Sequence, residues 1–282
     1  MITRTFVHVP GVGRITEQAL WDAGVRHWDD LAGEAARGRL GRGRHETALR
    51  HVEHSRQALA EGDWMFLYNG LPPSEQWRVL TLSPERTAYL DIETTGPSRY
   101  YNEVTCIGLY DGTCLRNYVS GQNLEQFCED IEGYDLLVTY NGKCFDVPFL
   151  RHRLHVRLDV PHVDLLHACR SVGLKGGLKA VERQAGLHRA EELDGVDGWT
   201  AVLLWHEYEA TGDQRALDTL ITYNLEDVIN LRPLAQIVWN RKLPREFPEL
   251  AVPVDPGRPP LPVKADRGLI ERLLAESLRW AR

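Results

Sequence analysis

The sequence predicts an α/β protein, a mixed five-stranded sheet flanked by helices, with a small helical region ahead of it. Three observations predict it. Strand-like runs at 87–94, 103–110 and 114–119 follow one another, the last two joined through the Asp111-Gly112 turn of YDGTC. Strand patterns at 135–140 and 160–165 then alternate with helical ones at 122–132, 145–155, 177–186, 198–211 and 213–232. Before residue 63 the texture is mainly helical, with GRGRHETALRHVEHSRQALAEGD an amphipathic helix ending near Gly62.

Taken in order, residues 1–62 form the helical N-terminal region and 63–84 a connector containing the loop Asn69–Ser74. Residues 85–240 form the α/β domain. The stretch 241–282 is a proline-rich, extended tail leading to a short amphipathic helix, Leu269–Ala281. No internal repeat is present.

Composition is that of a globular chain, and no apolar run approaches the length that spans a bilayer. The first residues, MITRTFVHVPGVG, lack the charged-then-apolar order of a secretory signal. The five cysteines, 106, 114, 128, 144 and 169, include no CxxC pair, which argues against a disulfide framework or a zinc ribbon and for a reducing cytoplasm. Net charge is −7, unevenly spread. Residues 85–230 carry 24 acidic and 13 basic side chains, whereas 37–56 carry six arginines against two glutamates and 241–282 carry nine basic against six acidic residues. An acidic centre with basic flanks suits a metal-loaded site with phosphate grips beside it, although solvated surface charge gives similar runs.

Inside this acidic centre, the strand YLDIETTG poses a problem of charge. Period-two alternation puts Ala88, Leu90 and Ile92 on one face and Tyr89, Asp91 and Glu93 on the other. Two carboxylates one pleat apart repel unless a cation or solvent compensates. A second acidic element, with Asp146, follows the fourth strand in VTYNGKCFDVPFL, where a strand end meets a helix start; read alone, it is an acid favoured by the helix dipole. In LITYNLEDVINL, Tyr223 and Asp227 stand one helical turn apart beside the apolar stripe Leu217, Leu220, Ile221, Leu225, Val228 and Ile229.

Together and in this order, DxE on the first strand, Asn-x₃-Phe-Asp after a later strand and Tyr-x₃-Asp on a late helix resemble the three exonuclease motifs of the DEDD superfamily. The resemblance covers about residues 85–232. It is to the tyrosine branch, since the position where the other branch has histidine is Thr222. EVTCIGLYDG, HVDLLHACR, GGLKAVERQAG, DGVDGW and ALDTLITYNLEDVINL further resemble the YprB-like ribonuclease H-like exonuclease family, and FVHVPGVGRITEQALWDAGVRHWDDL resembles the leader often found before that domain.

The resemblance implies a ribonuclease H-like fold and a 3′→5′ exonuclease using two Mg²⁺ or Mn²⁺ ions on single-stranded DNA or RNA ends. Hard cations take oxygen ligands, which accounts for carboxylates rather than histidine or cysteine. By that resemblance Asp91 would bridge the ions, Glu93 and Asp227 would complete the site holding the attacking water, and Asp146 would serve the second ion. Tyr223 would orient the nucleophile, because a phenol is mostly protonated at neutral pH. Thr94, Thr95 and Gly96 lie where family members approach the terminal nucleotide; Asn141 and Lys143 reach toward the same cleft or form a solvated turn. Other readings are a catalytically silent nucleic-acid-binding module and an endonuclease of ribonuclease H type. A repair or helicase partner is not legible, and no membrane contact is expected.

PGVGRITEQALWDAG resembles a helix–hairpin–helix element with Gly11, Gly13, Thr16 and Leu20 in place, but Glu17 stands where a small residue is usual; it reads as a phosphate contact or a structural cap. GLKGGLKA lacks the ending of a phosphate loop and reads as a turn and helix start. His51/His54 and His152/His155 have helical spacing without a third ligand and read as surface residues. Trp199 and Trp205 read as helix-packing aromatics.

Overall fold

The computed structural model describes residues 1–255 and 257–280. Its centre is a five-stranded sheet in the order β3-β2-β1-β4-β5, with β1 at Thr87–Thr94, β2 at Val104–Tyr110, β3 at Leu115–Val119, β4 at Leu136–Thr139 and β5 at His162–Asp164. The meander β1-β2-β3 is antiparallel, and β4 and β5 join parallel to β1. The three parallel strands therefore end along one edge of the sheet, where open α/β folds place their ligands. Asp91 pairs with Gly108 and Glu93 with Cys106 across β1 and β2, and the register shifts between Glu93 and Thr94.

The helices are α1 (Arg14–Asp22), α2 (Glu34–Leu40), α3 (Arg42–Glu61), α4 (Trp64–Gly70), α5 (Gln126–Asp130), α6 (Asp146–Arg153), α7 (Leu165–Ser171), α8 (Leu178–Ala185), α9 (Gly198–Thr211), α10 (Gln214–Lys242) and α11 (Arg267–Trp280). Ala88, Leu90 and Ile92 pack with Ile107, Leu109, Phe127, Phe149 and Leu150 under α5 and α6. The opposite face of the sheet, carrying Asp91 and Glu93, lies under α10. Alternation thus sorts the strand as expected, with the two acids directed at a helix rather than at open solvent.

Four elements depart from the sequence reading. The connector contains α4, started by Asp63, whose carboxylate accepts from the Phe66 N–H at 2.9 Å, and stopped before Pro72-Pro73. The run HVDLLHACR enters α7 directly from β5, with Asp164 as its cap and no turn residue between them to announce it. And α10 does not stop at 232. It continues through Pro233, whose missing hydrogen bond is offset by the burial of Leu234, Ala235, Val238 and Trp239. The predicted helix 122–132 is reduced to α5 and a 3₁₀ turn at Ile131–Gly133. The helix expected over Leu269–Ala281 is α11; Ala281 lies outside the described residues.

The N-terminal helices are packed onto the sheet. Phe6, Leu20, Trp28, Leu31, Val52 and Leu67 belong to the same apolar cluster as Val138, Val163, Leu165, Leu234 and Val238. Beneath it Arg78 lies between the rings of Trp21 and Trp77 and is bound by two buried carboxylates, Glu17 at 2.8 Å and Glu75 at 2.7 Å. Glu17 also accepts from the Phe6 N–H at 2.6 Å. It faces the protein interior, not a phosphate. His51 is likewise not a free surface residue, since its ring packs on His8 and Phe66. The five cysteines are unpaired, with Cys106 and Cys169 buried. Among the described residues no helix is long and apolar enough to cross a membrane.

Candidate active site

Strand β1 and helix α10 bring together residues more than 130 positions apart. One carboxylate oxygen from each of Asp91, Glu93 and Asp227 lies within 4.8 Å of the others. Asp146, at the first turn of α6, is buried beside them, and its charge acts on both Asp91 and Glu93. Burial, then the neighbouring Asp227 and Asp146, push the carboxyls of Asp91 and Glu93 well above the usual range. Burial likewise raises Asp146, to about 7. Four acids in one low-dielectric place cannot all ionise without a compensating cation.

Each acid is positioned by a local device. Asn224, one turn before Val228 on α10, donates to Asp91 Oδ2 at 2.8 Å. Asp146 is presented by a turn in which Asn141 has φ 68° and a β-carbon at Gly142 would collide with Thr139. That turn is held from β5: the Asp164 carboxylate accepts from the N–H groups of Asn141 at 2.8 Å and Lys143 at 3.1 Å, and also from Leu166 at 3.0 Å. Tyr223 and Asp227 share one face of α10. The Tyr223 hydroxyl is held far above its ordinary pKa by burial and by the charges of Asp227, Glu93 and Asp91, so it stays protonated.

Two cations complete the cluster, and neither was found from the sequence. Arg189 forms ion pairs with both Asp227 and Glu182 of α8. Lys179, one turn before Glu182, places its ammonium 4.5 Å from the centre of the Tyr223 ring. The ammonium is discouraged by burial and supported by Asp227. The GLKGGLKA segment is thus a turn and helix start as expected, but its second lysine enters the acid cluster. The only sequence signal was Lys179 and Glu182 on one helical face, which is commonplace.

Four buried polar atoms here have no hydrogen-bond partner among the described residues: Asp146 Oδ1, Asn224 Oδ1, Lys179 Nζ and Arg189 Nη1. Unsatisfied buried groups are rare in proteins and gather where a ligand completes them. An all-oxygen donor set with raised carboxyl pKa values suits a hard divalent cation such as Mg²⁺ or Mn²⁺.

Beside Glu93 opens a cleft of about 300 Å³, lined by Thr94, Gly96, Phe145, Trp199 and Val202 among others. Trp199 is 60% exposed and forms the wall of this cleft, unlike Trp205, which is buried as a packing residue. Of the residues expected near substrate, Thr94 and Gly96 therefore line the cleft. Thr95 instead pairs with Glu103, its N–H donating to the carbonyl at 3.0 Å. Asn141 is exposed on the turn. Lys143 points toward the N-terminal helices, donating to Tyr68 Oη at 2.8 Å and Gln76 Oε1 at 3.0 Å.

A central DxE strand, a mixed sheet and an acid-bearing helix laid across it define an α/β protein with a carboxylate centre suited to divalent metal. Residues 88–239 match the family model RNase_H_2 of the RNase_H superfamily, more than half of the chain, and the chain belongs to that superfamily. Among solved structures it is similar to the family B DNA polymerase from the hyperthermophilic archaeon Pyrobaculum calidifontis, at 17% identity and a TM-score of 0.40. That similarity covers 57% of this chain and only 26% of the polymerase. Among curated proteins none matches the chain.

Proposed function

We propose that this protein is a metal-dependent 3′→5′ exonuclease of the tyrosine branch of the DEDD superfamily, acting on single-stranded DNA or RNA ends. The observation that carries the reading is the meeting of Asp91, Glu93 and Asp227 oxygens within 4.8 Å, with Asp146 buried alongside. Asp91, Glu93, Asp146 and Asp227 would hold two Mg²⁺ or Mn²⁺ ions. Bound there, the ions would supply charge neutralisation at phosphorus and a water acidic enough to attack it.

The remaining work belongs to the chain. Asn224 fixes the Asp91 carboxylate against α10. Tyr223, held protonated, offers a hydroxyl that orients the attacking water and takes no proton from it. Arg189 and Lys179 hold positive charge beside Asp227 and limit repulsion among the acids. The cleft beside Glu93 would receive the terminal nucleotide, with Phe145 and Trp199 offering aromatic surface to its base.

Hydrolysis of matched 5′-labelled DNA and RNA strands in Mg²⁺, Mn²⁺ and EDTA tests this. A metal-dependent ladder of shortening products is expected. A few internal cuts would instead make the protein an endonuclease, and retention without cutting a binding module.

A further inference from the structure

Two clefts meet on the side of the catalytic turn away from Trp199. The first, about 370 Å³, lies between the end of β5, the turn bearing Lys143 and the segment Pro73–Val79. The second, about 360 Å³, lies between α1 and the C-terminal end of α10, with Arg14, Arg241 and Arg245 on its walls. Both are lined by Trp77, Ser171 and Lys242, so they lie side by side as a trough with these three residues at their common border. Its inner end adjoins β5, two strand spacings or roughly 10 Å from β1, along the edge where the parallel strands finish.

The acids of the trough are already engaged. Asp164 accepts three backbone N–H groups, Glu17 and Glu75 are buried around Arg78, and Glu246 accepts from Gln18 at 2.8 Å. Of the cations, Arg78 is bound by Glu17 and Glu75 and Arg14 meets Glu75 at 3.3 Å, but the others are not engaged. Lys143 has the neutral partners Tyr68 and Gln76, and Lys242 has Ser171 at 2.9 Å and the face of Trp77 at 5.4 Å. Arg241 is exposed, and the Arg245 side chain is 94% exposed with its nearest carboxylate, Glu246, at 3.9 Å. A line of cations without strong carboxylate partners, in a chain whose net charge is −7, is complementary to a polyanion with regularly repeated charge.

We propose that this trough is the track for the polynucleotide strand behind its terminal nucleotide, the phosphodiester backbone running past Lys143 and Lys242 to Arg241, Arg245 and Arg14. The proposal rests on the nuclease reading and adds to it a second site, built jointly by the N-terminal helices and the end of α10. Phosphate contacts of this kind give affinity and register without reading sequence.

Fluorescence anisotropy of a long labelled single strand, titrated in EDTA across a range of salt, tests the track. Arg241→Gln/Arg245→Gln is expected to bind at least tenfold more weakly and to flatten the slope of log affinity against log salt by about 1.4, two single-strand phosphate contacts. Arg39→Gln/Arg50→Gln, on exposed arginines of α2 and α3 outside the trough, is the reference for loss of charge alone. Equal losses in both double variants, unchanged binding in the first, or equally tight binding of polyglutamate would overturn the proposal. Circular dichroism confirms that each variant is folded; if the Gln pair is not, Arg245→Glu alone carries the test. Failure of the nuclease reading looks different: no shortening of the strand in Mn²⁺, with arginine-dependent binding intact.

Discussion

Gly108 faces Asn224 at a separation that admits no side chain: a β-carbon on Gly108 would stand 2.7 Å from Asn224 Oδ1 and 2.7 Å from Val228 Cγ2. Gly108 is also the strand partner of Asp91, to which Asn224 donates. One small residue therefore sets how closely α10 descends on the acids. Gly108→Ala should force the helix outward, cost about 1–3 kcal/mol of stability and weaken Mn²⁺ binding. Thermal denaturation and calorimetric titration check this, and a wild-type Mn²⁺ isotherm would count against it.

Arg189 is the cation of the folded protein that pairs directly with Asp227. Replacing it with methionine leaves Asp227 and Glu182 buried without their shared partner, a change that typically costs about 3–5 kcal/mol. Arg189→Met should melt well below wild type in EDTA and regain part of the loss in Mn²⁺, which can serve Asp227 but not Glu182. Equal melting temperatures in EDTA would show that the pair does not matter.

Asp164 acts at one remove, by holding the turn that delivers Asp146. Asp164→Ala frees the N–H groups of Asn141, Lys143 and Leu166, and should cost about 1–3 kcal/mol while reducing hydrolysis and metal affinity. Asp164→Asn keeps one acceptor oxygen and should recover part of both. An alanine variant with full activity would show that the turn holds itself.

Asp91→Asn should nearly abolish hydrolysis together with metal binding. Tyr223→Phe should separate the two, lowering the rate on the order of a hundredfold while the calorimetric Mn²⁺ isotherm is retained. Loss of metal binding in the phenylalanine variant would move Tyr223 from orienting water to building the site.

The raised carboxyls make metal-free stability depend on pH. Burial lifts the Asp146 carboxyl from its ordinary value of 3.8 to about 7, so the folded state binds more protons than the unfolded one across that window. Its contribution is fully present below the unfolded value and is lost as pH rises through about 7. His8 and His162, lowered by burial to about 3 and about 4, tilt the curve the other way below their unfolded value near 6.5. Comparing Asp146→Asn with wild type cancels the histidines. In EDTA the variant should gain in melting temperature relative to wild type as pH rises from about 4 to about 7, and the difference should level off above that. A constant difference at every pH would refute the assignment.

How much of this could be read beforehand depended on which signals are local. The alternation in YLDIETTG sorts the strand into a core face and an acid face without any structure, and the Asp111-Gly112 turn marks the β2-β3 hairpin. Asp91, Glu93, Asp146, Tyr223 and Asp227 stand out only through the resemblance of their motifs, taken in order, to those of a known superfamily. Asn224, Lys179 and Arg189 were not legible because each has an ordinary local role and gains its importance only from a partner distant in sequence, Asp91, Tyr223 or Asp227. Helix α7 was missed because Asp164 serves at once as strand end and helix cap. Glu17 looked misplaced beside its glycines because Arg78, its partner, lies 61 residues away.

The apolar cluster that joins Phe6, Leu20 and Trp28 to Val138, Leu165 and Val238 has a consequence for how the molecule comes apart. Severed ahead of β1, the sheet and the helices beside it would meet water along an oily flank and would stick to their neighbours. The leading helices are less a passenger than a lid on that flank, and heat should undo both halves in a single step.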